Sequence, residues 1–389
     1  MEQRFKWKQI EYNFNGVIYR NDADYPKTAQ GARGNLTEAA KFFVQYNNVP
    51  IGMEVYRGRV FVTVPRRRHG IPSTLNYVDF PSGSSPALKP YPNPESVKDF
   101  VSVYRPRVDA CGRLWMVDTG LLEVPGERKQ VKPPSIVVYD LNTDQLVLRY
   151  ELKQTDLVDE RTPAGLTSIN VEINGDSCSD AYAYITDLAT EGLVVYSMKS
   201  GDSWRLSDRS FVHDNGAMNF TAAGQVLANW KDGMFSIALT ELDSNGKRKA
   251  FYHPLVSTQE FSVDTDYLKD KKRFHSLNTY LGERGANSQS GSHDYHARSR
   301  TLFFANVAQN AISCWNIDKD LAPENVAVVA QDPKLLAYVS DLKVIDNSLW
   351  VLVNQIPKFI YSRLDTTEYN FFIHSFPIRK LLRGTVCRR

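Results

Sequence analysis

The fold is decided by the stretch Arg107-Val-Asp-Ala-Cys-Gly-Arg-Leu-Trp-Met-Val-Asp-Thr-Gly120. Its first part, Asp109-Ala-Cys-Gly112, is typical of a tight turn, because glycine adopts the positive φ that such turns require. Leu114-Trp-Met-Val117 follows as an apolar strand and ends at the polar pair Asp118-Thr119. The stretch therefore predicts a turn, a strand and then a polar residue that ends the strand, here called a polar stop.

The same unit recurs along the chain, each time with a turn before an apolar strand and a polar stop after it. Later copies are Ala181–Ile185 ending at Thr186-Asp187, Gln225–Ala228 ending at Asn229, Thr301–Phe304 ending near Asn306, and Ser348–Val353 ending at Asn354. A weaker copy, Arg59–Thr63, comes before the first unit. This recurrence indicates a repeat architecture.

Short strands fill most of the chain and almost no helix is predicted, which is typical of an all-β protein. In chain order the strands group into six four-stranded antiparallel sheets, more than a β-sandwich contains, and therefore predict a six-bladed β-propeller. The N-terminal strands are expected to share a sheet with the C-terminal ones and close the ring. We predict one domain over 1–389, with an N-terminal segment at 1–50, blades at 51–363, and a closing segment and tail at 364–389.

Several local assignments within this scheme are specific. One short helix is predicted from Leu36 to Tyr46, with Asn35 as its cap. The fourth sheet is predicted to contain Gly216–Phe220, Gln225–Ala228, Met234–Leu239 and Lys249–Tyr252, and residues 269–289 are interpreted as an insertion. The last sheet is predicted to include Phe359–Ser362 as a strand.

Composition and charge exclude some classes of protein. The net charge of +3 and pI of about 8.5 are only mildly basic, which does not indicate a nucleic-acid binder. No apolar run reaches the roughly 18 residues of a transmembrane helix. The segment Met1-Glu-Gln-Arg-Phe-Lys-Trp7 has no apolar signal region, which leaves open a cytosolic protein or a secreted one whose signal has been removed.

The four cysteines favour secretion. Cys111 and Cys178 occupy equivalent turns of neighbouring repeat units and would lie side by side in a circular array, and Cys314 and Cys387 would then pair. An even number of cysteines placed in this way favours disulfides, although four free thiols remain the alternative. Asparagines in two sequons are candidate glycosylation sites, which agrees with secretion: Asn35 and Asn219.

About residues 50–363 of this chain resemble the yellow / major royal jelly protein family of insects, and seven segments carry the resemblance. They are Cys111-Gly-Arg-Leu-Trp-Met-Val-Asp-Thr-Gly120, Pro133-Pro-Ser-Ile-Val-Val-Tyr-Asp140, Tyr184-Ile-Thr-Asp187 with Gly192-Leu-Val-Val-Tyr196, Asp232-Gly-Met-Phe235, Asn310-Ala-Ile-Ser-Cys-Trp-Asn316 and Leu349-Trp-Val-Leu-Val-Asn354. The resemblance implies a six-bladed propeller, secretion, and the disulfides Cys111–Cys178 and Cys314–Cys387.

Within that family the chain is most similar to yellow-related salivary proteins of blood-feeding sand flies. That narrower resemblance implies a protein that sequesters serotonin, catecholamines and histamine, and so counters vasoconstriction and platelet activation in the host. Other members of the family resemble enzymes that rearrange dopachrome during pigment synthesis, and the royal jelly members are storage or sterol-associated proteins. A fold and a family do not by themselves choose between these functions.

The polar stops define the candidate binding site. In a propeller the second strand of each blade returns to one mouth of the central channel, so we expect these residues to converge there: Asp118, Thr119, Thr186, Asp187, Asn229, Asn306 and Asn354. Their oxygens suit an ammonium group, and three nearby aromatic residues suit the ring of an amine: Trp230, Phe235 and Phe359. The alternative is that the polar stops bond only to local backbone and that the aromatic residues belong to the core.

Enzymatic interpretations have less support in the sequence. The sequence contains no His-Glu-x-x-His, Gly-x-Ser-x-Gly, phosphate loop or dinucleotide motif. His293 and His296 lie three positions apart on a predicted strand and point to opposite faces, so we expect no metal site. His213-Asp214 is a weak candidate acid–base pair for a tautomerase, and acidic stops are too few to favour Ca²⁺.

We therefore predict a secreted, monomeric salivary protein that binds biogenic amines at the channel mouth without catalysing a reaction. It is expected to need no cofactor and to bind neither nucleic acid nor membranes. The first alternative is a dopachrome-converting enzyme of the same fold. A second alternative is an adhesion or immune-modulating protein that uses its basic loops, such as Arg66-Arg-Arg-His69.

Overall fold

The strands form six four-stranded antiparallel sheets arranged as the blades of a β-propeller, which confirms the predicted fold. The computed structural model describes residues 1–20, 42–159, 161–175, 177–274 and 278–389. In every blade each strand pairs with its neighbour, and the innermost strands face one another around a central channel. Alternating and fully apolar strands therefore pack their side chains between blades, as the sequence pattern requires.

The first three blades follow the chain in simple order, from the innermost strand outward. Blade 1 contains Gly52–Tyr56, Arg59–Thr63, Leu75–Asp79 and Lys89–Pro90. Blade 2 contains Arg107–Val108, Arg113–Asp118, Ser135–Asp140 and Gln145–Glu151. Blade 3 contains Leu166–Ile173, Ala181–Asp187, Gly192–Ser197 and Asp202–Leu206.

The last three blades differ in that the final one takes its outer strand from the start of the chain. Blade 4 contains Met234–Leu239, Lys249–Pro254, Gln259–Asp264 and Thr279–Glu283. Blade 5 contains Ser290–His296, Thr301–Asn306, Ala311–Asn316 and Val326–Gln331. Blade 6 contains Val339–Ile345, Ser348–Val353, Phe371–Pro377 and Glu2–Trp7.

The ring is closed by pairing the two ends of the chain. Glu2–Trp7 runs antiparallel to Phe371–Pro377, with Trp7 opposite Phe371 and Glu2 opposite Ser375. Phe5 and Trp7 are buried in the core between blades 6 and 1. This arrangement confirms the predicted closure, and it holds the circle together because neither end can leave without exposing apolar surface and an unpaired strand edge.

The remaining described elements are short. Three two-stranded hairpins lie outside the blades: Tyr12–Phe14 with Val17–Tyr19, Leu121–Leu122 with Lys129–Gln130, and Phe220–Ala222 with Gln225–Leu227. The α-helices of the described residues are Thr265–Leu268, Ile356–Tyr361 and Ile378–Leu381. The 3-10 turns are Gln45–Asn47, Pro94–Asp99, Gln154–Asp156, Arg209–Phe211, Asn215–Ala217, Ala297–Ser299, Val307–Gln309 and Pro323–Asn325.

The composition of blade 4 differs from the prediction. The segment from Gly216 to Ala228 forms no part of the blade, but contains a 3-10 turn and the separate hairpin. The blade begins at Met234, and its outer strand Thr279–Glu283 lies within the supposed insertion 269–289. The hairpin has the strand–turn–strand pattern of a blade, and only packing distinguishes the two.

Two predicted local elements also differ from the structure. Phe359–Ser362 is not a strand, because Ile356–Tyr361 forms a helix with Pro357 in its first turn, where proline is well tolerated. Residues 36–41 of the predicted helix, and its cap Asn35, lie outside the described residues. Within the described part, Phe42 is helical and Gln45–Asn47 form a 3-10 turn.

The structure contains both disulfides. Cys111 and Cys178 join turns of blades 2 and 3, with their Cα atoms 6.0 Å apart. Cys314, in blade 5, joins Cys387 near the C-terminus, with a Cα separation of 6.1 Å. Neither pair leaves a free thiol, and such bridges are typical of proteins that fold in an oxidising compartment. Among the described helices, none has the length and apolarity needed to cross a membrane.

Removing the second disulfide is expected to lower the free energy of unfolding by about 2–4 kcal/mol. In the double variant Cys314→Ala, Cys387→Ala the tail after blade 6 loses its covalent attachment to blade 5. Urea unfolding of the variant and the parent, both under non-oxidising conditions and with the other disulfide intact, measures the difference. An unchanged midpoint and slope would show that packing alone holds the tail.

Candidate active site

A pocket opens at the end of the channel where the inner strands begin. Its wall includes Leu166, Phe235 and Ser340 from the starts of inner strands, and Thr119 and Asn354 from just beyond second strands. The space around this opening is about 1100 Å³, a value that includes open solvent at the mouth. It therefore lies at the end of the channel at which the polar stops are expected to gather.

Three segments outside the blades build the sides of this pocket. The hairpin Phe220–Leu227, here called the mouth hairpin, contributes Phe220 and Leu227. The loop 121–130, here called the flap, contributes Val124 and Pro125. The helix Ile356–Tyr361 contributes Ile356, Pro357 and Ile360. Because these walls are mainly apolar and include aromatic rings, the pocket suits a flat, ring-shaped ligand.

Asp232 is the one acidic residue of the described pocket wall. Its carboxylate accepts a hydrogen bond of 2.6 Å from the indole Nε1–H of Trp230, which fixes its orientation. Burial raises the pKa of Asp232 to about 6, against the opposing effects of the Trp230 hydrogen bond and of Arg67 and Arg128. A carboxylate with this pKa in a pocket is ionised at neutral pH and is basic enough to accept a proton from a ligand.

Two tyrosines of the wall are hydrogen-bond donors. Burial raises the pKa of Tyr338 to about 12, with a further contribution from Asp232, and burial also raises the pKa of Tyr104. Both phenols therefore stay protonated at neutral pH. Within the described chain neither hydroxyl has a hydrogen-bond partner, so each is available to donate to a ligand oxygen.

The floor of the pocket is supported by a buried cation. The guanidinium carbon of Arg105 lies 3.8 Å from the ring centroid of Phe235, and its Nη1–H donates to the carbonyl oxygen of Gly291 at 2.7 Å. Deeper in the channel, Arg107 of blade 2 pairs with Asp294 of blade 5 at 2.7 Å. Charged side chains therefore bridge the channel below the pocket, and a ligand has its access from the mouth.

Four of the ten predicted ligand-binding residues line the pocket: Thr119, Trp230, Phe235 and Asn354. The polar groups of two of them are already bonded to backbone groups of the protein. Asn354 donates to the Pro50 carbonyl oxygen at 2.8 Å and accepts from the backbone N–H of Ile356 at 3.0 Å. Thr119 donates to the Ser102 carbonyl oxygen at 3.1 Å. These two residues shape the wall, whereas Trp230 and Phe235 present aromatic faces.

Asp118 and Asp187 come directly before wall residues, but their carboxylates point into the protein. Asp118 is 3% exposed and accepts hydrogen bonds from the backbone N–H groups of Val101 and Ser102. Asp187 is fully buried and forms an ion pair of 2.8 Å with Arg205. Their acceptor oxygens are thus used to hold the chain segments that enter each blade, as the local-bonding alternative expects.

Two further polar stops, Thr186 and Asn306, are buried away from the pocket. The amide of Asn306 donates to the hydroxyl of Ser313 within blade 5 at 3.2 Å. The mouth hairpin packs on Val307, immediately after Asn306, and so covers this side of the channel end. The spacing of residues in the sequence does not predict that the mouth hairpin packs over this side of the channel.

The last two predicted residues lie on the periphery. Asn229 is exposed and has a left-handed backbone (φ 53°), and its N–H donates to the side-chain oxygen of Asn219 at 3.0 Å. Phe359 is buried against Tyr46, and the guanidinium of Arg68 lies 4.0 Å from its ring centroid. Asn219 is itself exposed, so its glycosylation stays a prediction, and Asn35 lies outside the described residues.

Comparison with known proteins identifies the family. A family model described as major royal jelly protein matches residues 101–387 of this chain. The chain belongs to the yellow/major royal jelly protein family. The match begins before the innermost strand of blade 2 and ends at Cys387, so it spans blades 2 to 5, three of the four strands of blade 6, and both disulfides.

Relatives of this yellow-family chain include named enzymes. L-dopachrome tautomerase yellow-f of Drosophila melanogaster is 39% identical over 410 residues, covering 100% of this chain and 94% of the relative. Dopaminechrome tautomerase of the same species is 34% identical, covering 100% of this chain and 84% of the relative. Protein yellow of that species is 33% identical, covering 100% of this chain and 70% of the relative.

The prediction that this yellow-family protein is not an enzyme is wrong. Two full-length relatives are named as tautomerases, at identities that show a common family. The prediction failed because it depended on known catalytic motifs, and a tautomerase needs only an acid, a base and a shaped pocket, which leave no short motif. The narrower resemblance to salivary sand fly proteins stays a prediction.

Sequence analysis missed the pocket residues that carry charge or a free hydroxyl. Asp232 is part of the family segment Asp232-Gly-Met-Phe235, which served only to establish the resemblance. Its position two residues after Trp230 could have marked it as a candidate site residue, because the indole N–H of Trp230 donates a hydrogen bond to its carboxylate. Tyr104 and Tyr338 each lie shortly before an inner strand. At such positions the sequence pattern does not distinguish a residue of the pocket wall from a residue of the core.

The histidine candidates of the sequence are used structurally. His213 bonds to Glu191 at 2.5 Å, and not to Asp214. His296 bonds to Ser299 and Asn347. His293, which the sequence analysis paired with His296, instead lies in a buried group with residues of blade 4.

That buried group, here called the histidine cluster, consists of His253, Glu260 and His293, whose possible ligand atoms lie within 4.8 Å of one another. His253 shares a hydrogen bond of 2.7 Å with Glu260, and His293 bonds Ser236 at 2.5 Å through its Nδ1. Arg284 pairs with Glu260 at 2.7 Å and so already provides a positive charge for the one carboxylate of the cluster. The cluster is therefore suited to joining blades 4 and 5 and poorly suited to holding a metal.

Proposed function

We propose that this protein is a tautomerase that converts aminochromes, the indoline quinones formed from oxidised catechol amines, into dihydroxyindoles. The observation that carries the proposal is Asp232, a carboxylate with a pKa raised to about 6, held by Trp230 in an aromatic pocket at the channel mouth. The names of two relatives, L-dopachrome tautomerase yellow-f and dopaminechrome tautomerase, support the same reaction class.

The reaction needs a base and a proton donor on opposite parts of one flat molecule. The base removes a proton from one saturated ring carbon while one quinone oxygen takes up a proton, which gives a quinone methide. The neighbouring saturated carbon then loses a proton and the second quinone oxygen gains one, so the dihydroxyindole is an isomer of the aminochrome. Asp232 is positioned to be the base, while the protonated phenols of Tyr104 and Tyr338 are candidates to donate to the quinone oxygen. No oxidant or reductant is required.

The aromatic wall provides the binding energy. Trp230, Phe235 and the tyrosines offer faces against which a bicyclic ring stacks, and the apolar wall excludes water from the reacting carbon. Dopamine and serotonin combine a ring with an ammonium group that complements Asp232. We therefore propose them as competing ligands of the same pocket.

The assay is the loss of aminochrome absorbance, measured with dopachrome and with dopaminechrome prepared fresh, against the spontaneous rate. We expect many turnovers per protein molecule, an isomeric dihydroxyindole product, and inhibition by dopamine. Heat-denatured protein at the same concentration is the control. Binding of either substrate at one-to-one stoichiometry without accelerated decay would contradict the proposal.

We also propose that the protein is extracellular, since its cysteines form two disulfides. Saliva as the site of action remains an expectation from the narrower resemblance. Immunoblotting of secreted fluids and of cell lysates from the source animal distinguishes the two locations. Retention of the protein in the reducing cytosol would contradict an extracellular role.

A further inference from the structure

The wall of the pocket contains two arginines and one acidic residue, so its positive charges outnumber its negative ones. Arg67 and Arg128 both line the pocket and lie near enough to Asp232 to lower its pKa, and no other ionisable acid or base with a full charge at neutral pH is part of the described wall. Neither arginine forms an ion pair with a carboxylate of the described chain. With Asp232 ionised, the pocket has a net charge of about +1, so a ligand that places an anionic group at the two arginines gains more than an amine, whose ammonium group has only Asp232 as a counter-charge.

Arg67 is held in place by the flap. Its Nε–H donates to the carbonyl oxygen of Val124 at 3.0 Å, and the backbone N–H of Glu123 donates to the carbonyl oxygen of Arg66 at 3.1 Å. These bonds join the loop after the second strand of blade 1 to the flap that contains Arg128. The terminal nitrogens of Arg67 remain available, and Arg128 is exposed at the rim.

Two guanidinium groups next to aromatic rings suit a ligand that combines a ring with a carboxylate, as some aminochromes do. Guanidinium groups bind carboxylates through two parallel hydrogen bonds, and such charge-assisted bonds are stronger than neutral ones. Aminochromes differ in this respect: dopachrome carries a carboxylate on its saturated ring, whereas dopaminechrome has only hydrogen at that carbon. Both present the same quinone to the phenols of Tyr104 and Tyr338.

We propose that Arg67 and Arg128 bind the substrate carboxylate and make this protein selective for carboxylated aminochromes. The inference rests on the proposed tautomerase function and adds the substrate class to it. Binding the carboxylate anchors the saturated edge of the ring at the two arginines, and both arginines lie near enough to Asp232 to lower its pKa.

The test compares three substrates with the same ring: L-dopachrome, its methyl ester and dopaminechrome. For the parent protein we expect kcat/KM to be highest for L-dopachrome. Arg67→Gln and Arg128→Gln are each expected to lower kcat/KM for L-dopachrome by about 10- to 100-fold, the value of a lost charge-assisted hydrogen bond. The same variants should change kcat/KM for the ester and for dopaminechrome by less than about threefold, because neither forms the contact.

Lys129→Gln is the matched control, since Lys129 carries the same charge on the same flap but does not line the pocket. Arg67 and Arg128 also lower the pKa of Asp232, so replacing either of them raises that pKa and shifts the rise of the rate to higher pH. Rates are therefore compared at a pH on the plateau of both profiles. An equal loss for all three substrates, or no loss for L-dopachrome, would overturn the inference.

A binding measurement separates this inference from the proposed function. Titration calorimetry with indole-2-carboxylate and with indole needs no turnover. We expect the carboxylate to bind more tightly, with an affinity that falls with added salt and is lost in Arg67→Gln. Selective binding without turnover of any aminochrome would refute the tautomerase and keep the carboxylate site, whereas turnover without selectivity would refute the carboxylate site alone.

Discussion

Asp232→Asn is expected to lower kcat for aminochrome conversion by about 10²- to 10⁴-fold, the usual contribution of a general base. Asparagine has nearly the same shape and its side-chain oxygen still accepts the hydrogen bond from Trp230, so the wall of the pocket stays in place. What is lost is the group that accepts the substrate proton. Initial rates of absorbance loss, corrected for the spontaneous reaction, measure the effect.

The pH dependence of the parent protein gives an independent check on Asp232. A base works when it is deprotonated, so the enzymatic rate is expected to be low below pH 6 and to rise to a plateau above it, as the carboxyl with a pKa of about 6 ionises. In Asp232→Asn this inflection should disappear. Asp243→Asn, in an exposed turn, is the control of identical chemistry. A full rate in Asp232→Asn would assign the base to another residue.

Glu260→Ala is expected to lower the free energy of unfolding by about 3–5 kcal/mol, because it leaves a buried guanidinium without its counter-charge. Glu260 is fully buried and its Oε2 contacts both Arg284 and His253 at 2.7 Å. Arg284 is 4% exposed and cannot regain water in the variant without disrupting the contact between blades. Urea or thermal unfolding measures the loss.

The control for Glu260 is a pair of the same type at the surface. Glu241 lies 3.3 Å from Arg300 with 41% of its side chain exposed, and Glu241→Ala is expected to cost less than about 1 kcal/mol. The double variant Glu260→Ala, Arg284→Ala should lose less than the sum of the two single losses, because it leaves no unpaired charge. Strict additivity, or a loss as small as that of Glu241→Ala, would contradict a role for this ion pair.

The predictions for Asp232 and Glu260 concern different parts of the molecule. The histidine cluster and Arg284 lie between strands and hold blades 4 and 5 in register, whereas Asp232 lies on the connection between the mouth hairpin and blade 4. The propeller thus provides a rigid ring, and the loops at one of its ends carry the residues of the proposed active site. Loops that a rigid scaffold positions are the usual place for function, since their residues can change without disturbing the core.

Much of the fold was predictable because it depends on local patterns that repeat. Arg113–Asp118 ends at a polar residue and Ser348–Val353 is followed by one, and each strand follows a turn. This recurring pattern predicts most blade strands, whereas Gln225–Leu227 shows the same pattern in a hairpin outside the blades. The pairing of Glu2–Trp7 with the last part of the chain follows from the need of a circular sheet array to close. Equivalent turn positions brought Cys111 next to Cys178 for the same reason.

The site was less predictable, because two residues with the same local pattern meet different neighbours. Asp118 ends its strand as the pattern predicts, but backbone N–H groups of the entering segment bind its carboxylate. Asp232 has no strand pattern at all, and only the folding of the mouth hairpin and the flap over the channel end gives it an apolar surrounding. Burial, and not residue type, raises its pKa.

The sequence by itself determined the repeats, the closed ring, the cysteine pairs and the end of the channel at which the pocket opens. These features depend on residue order and on spacing along one strand or turn. The tertiary structure alone decided which side chains face the pocket, since Asp232, Arg67 and Tyr338 come from segments far apart in the chain. Their charge and proton affinity arise from mutual distance and lost hydration, quantities that exist only once the chain has folded.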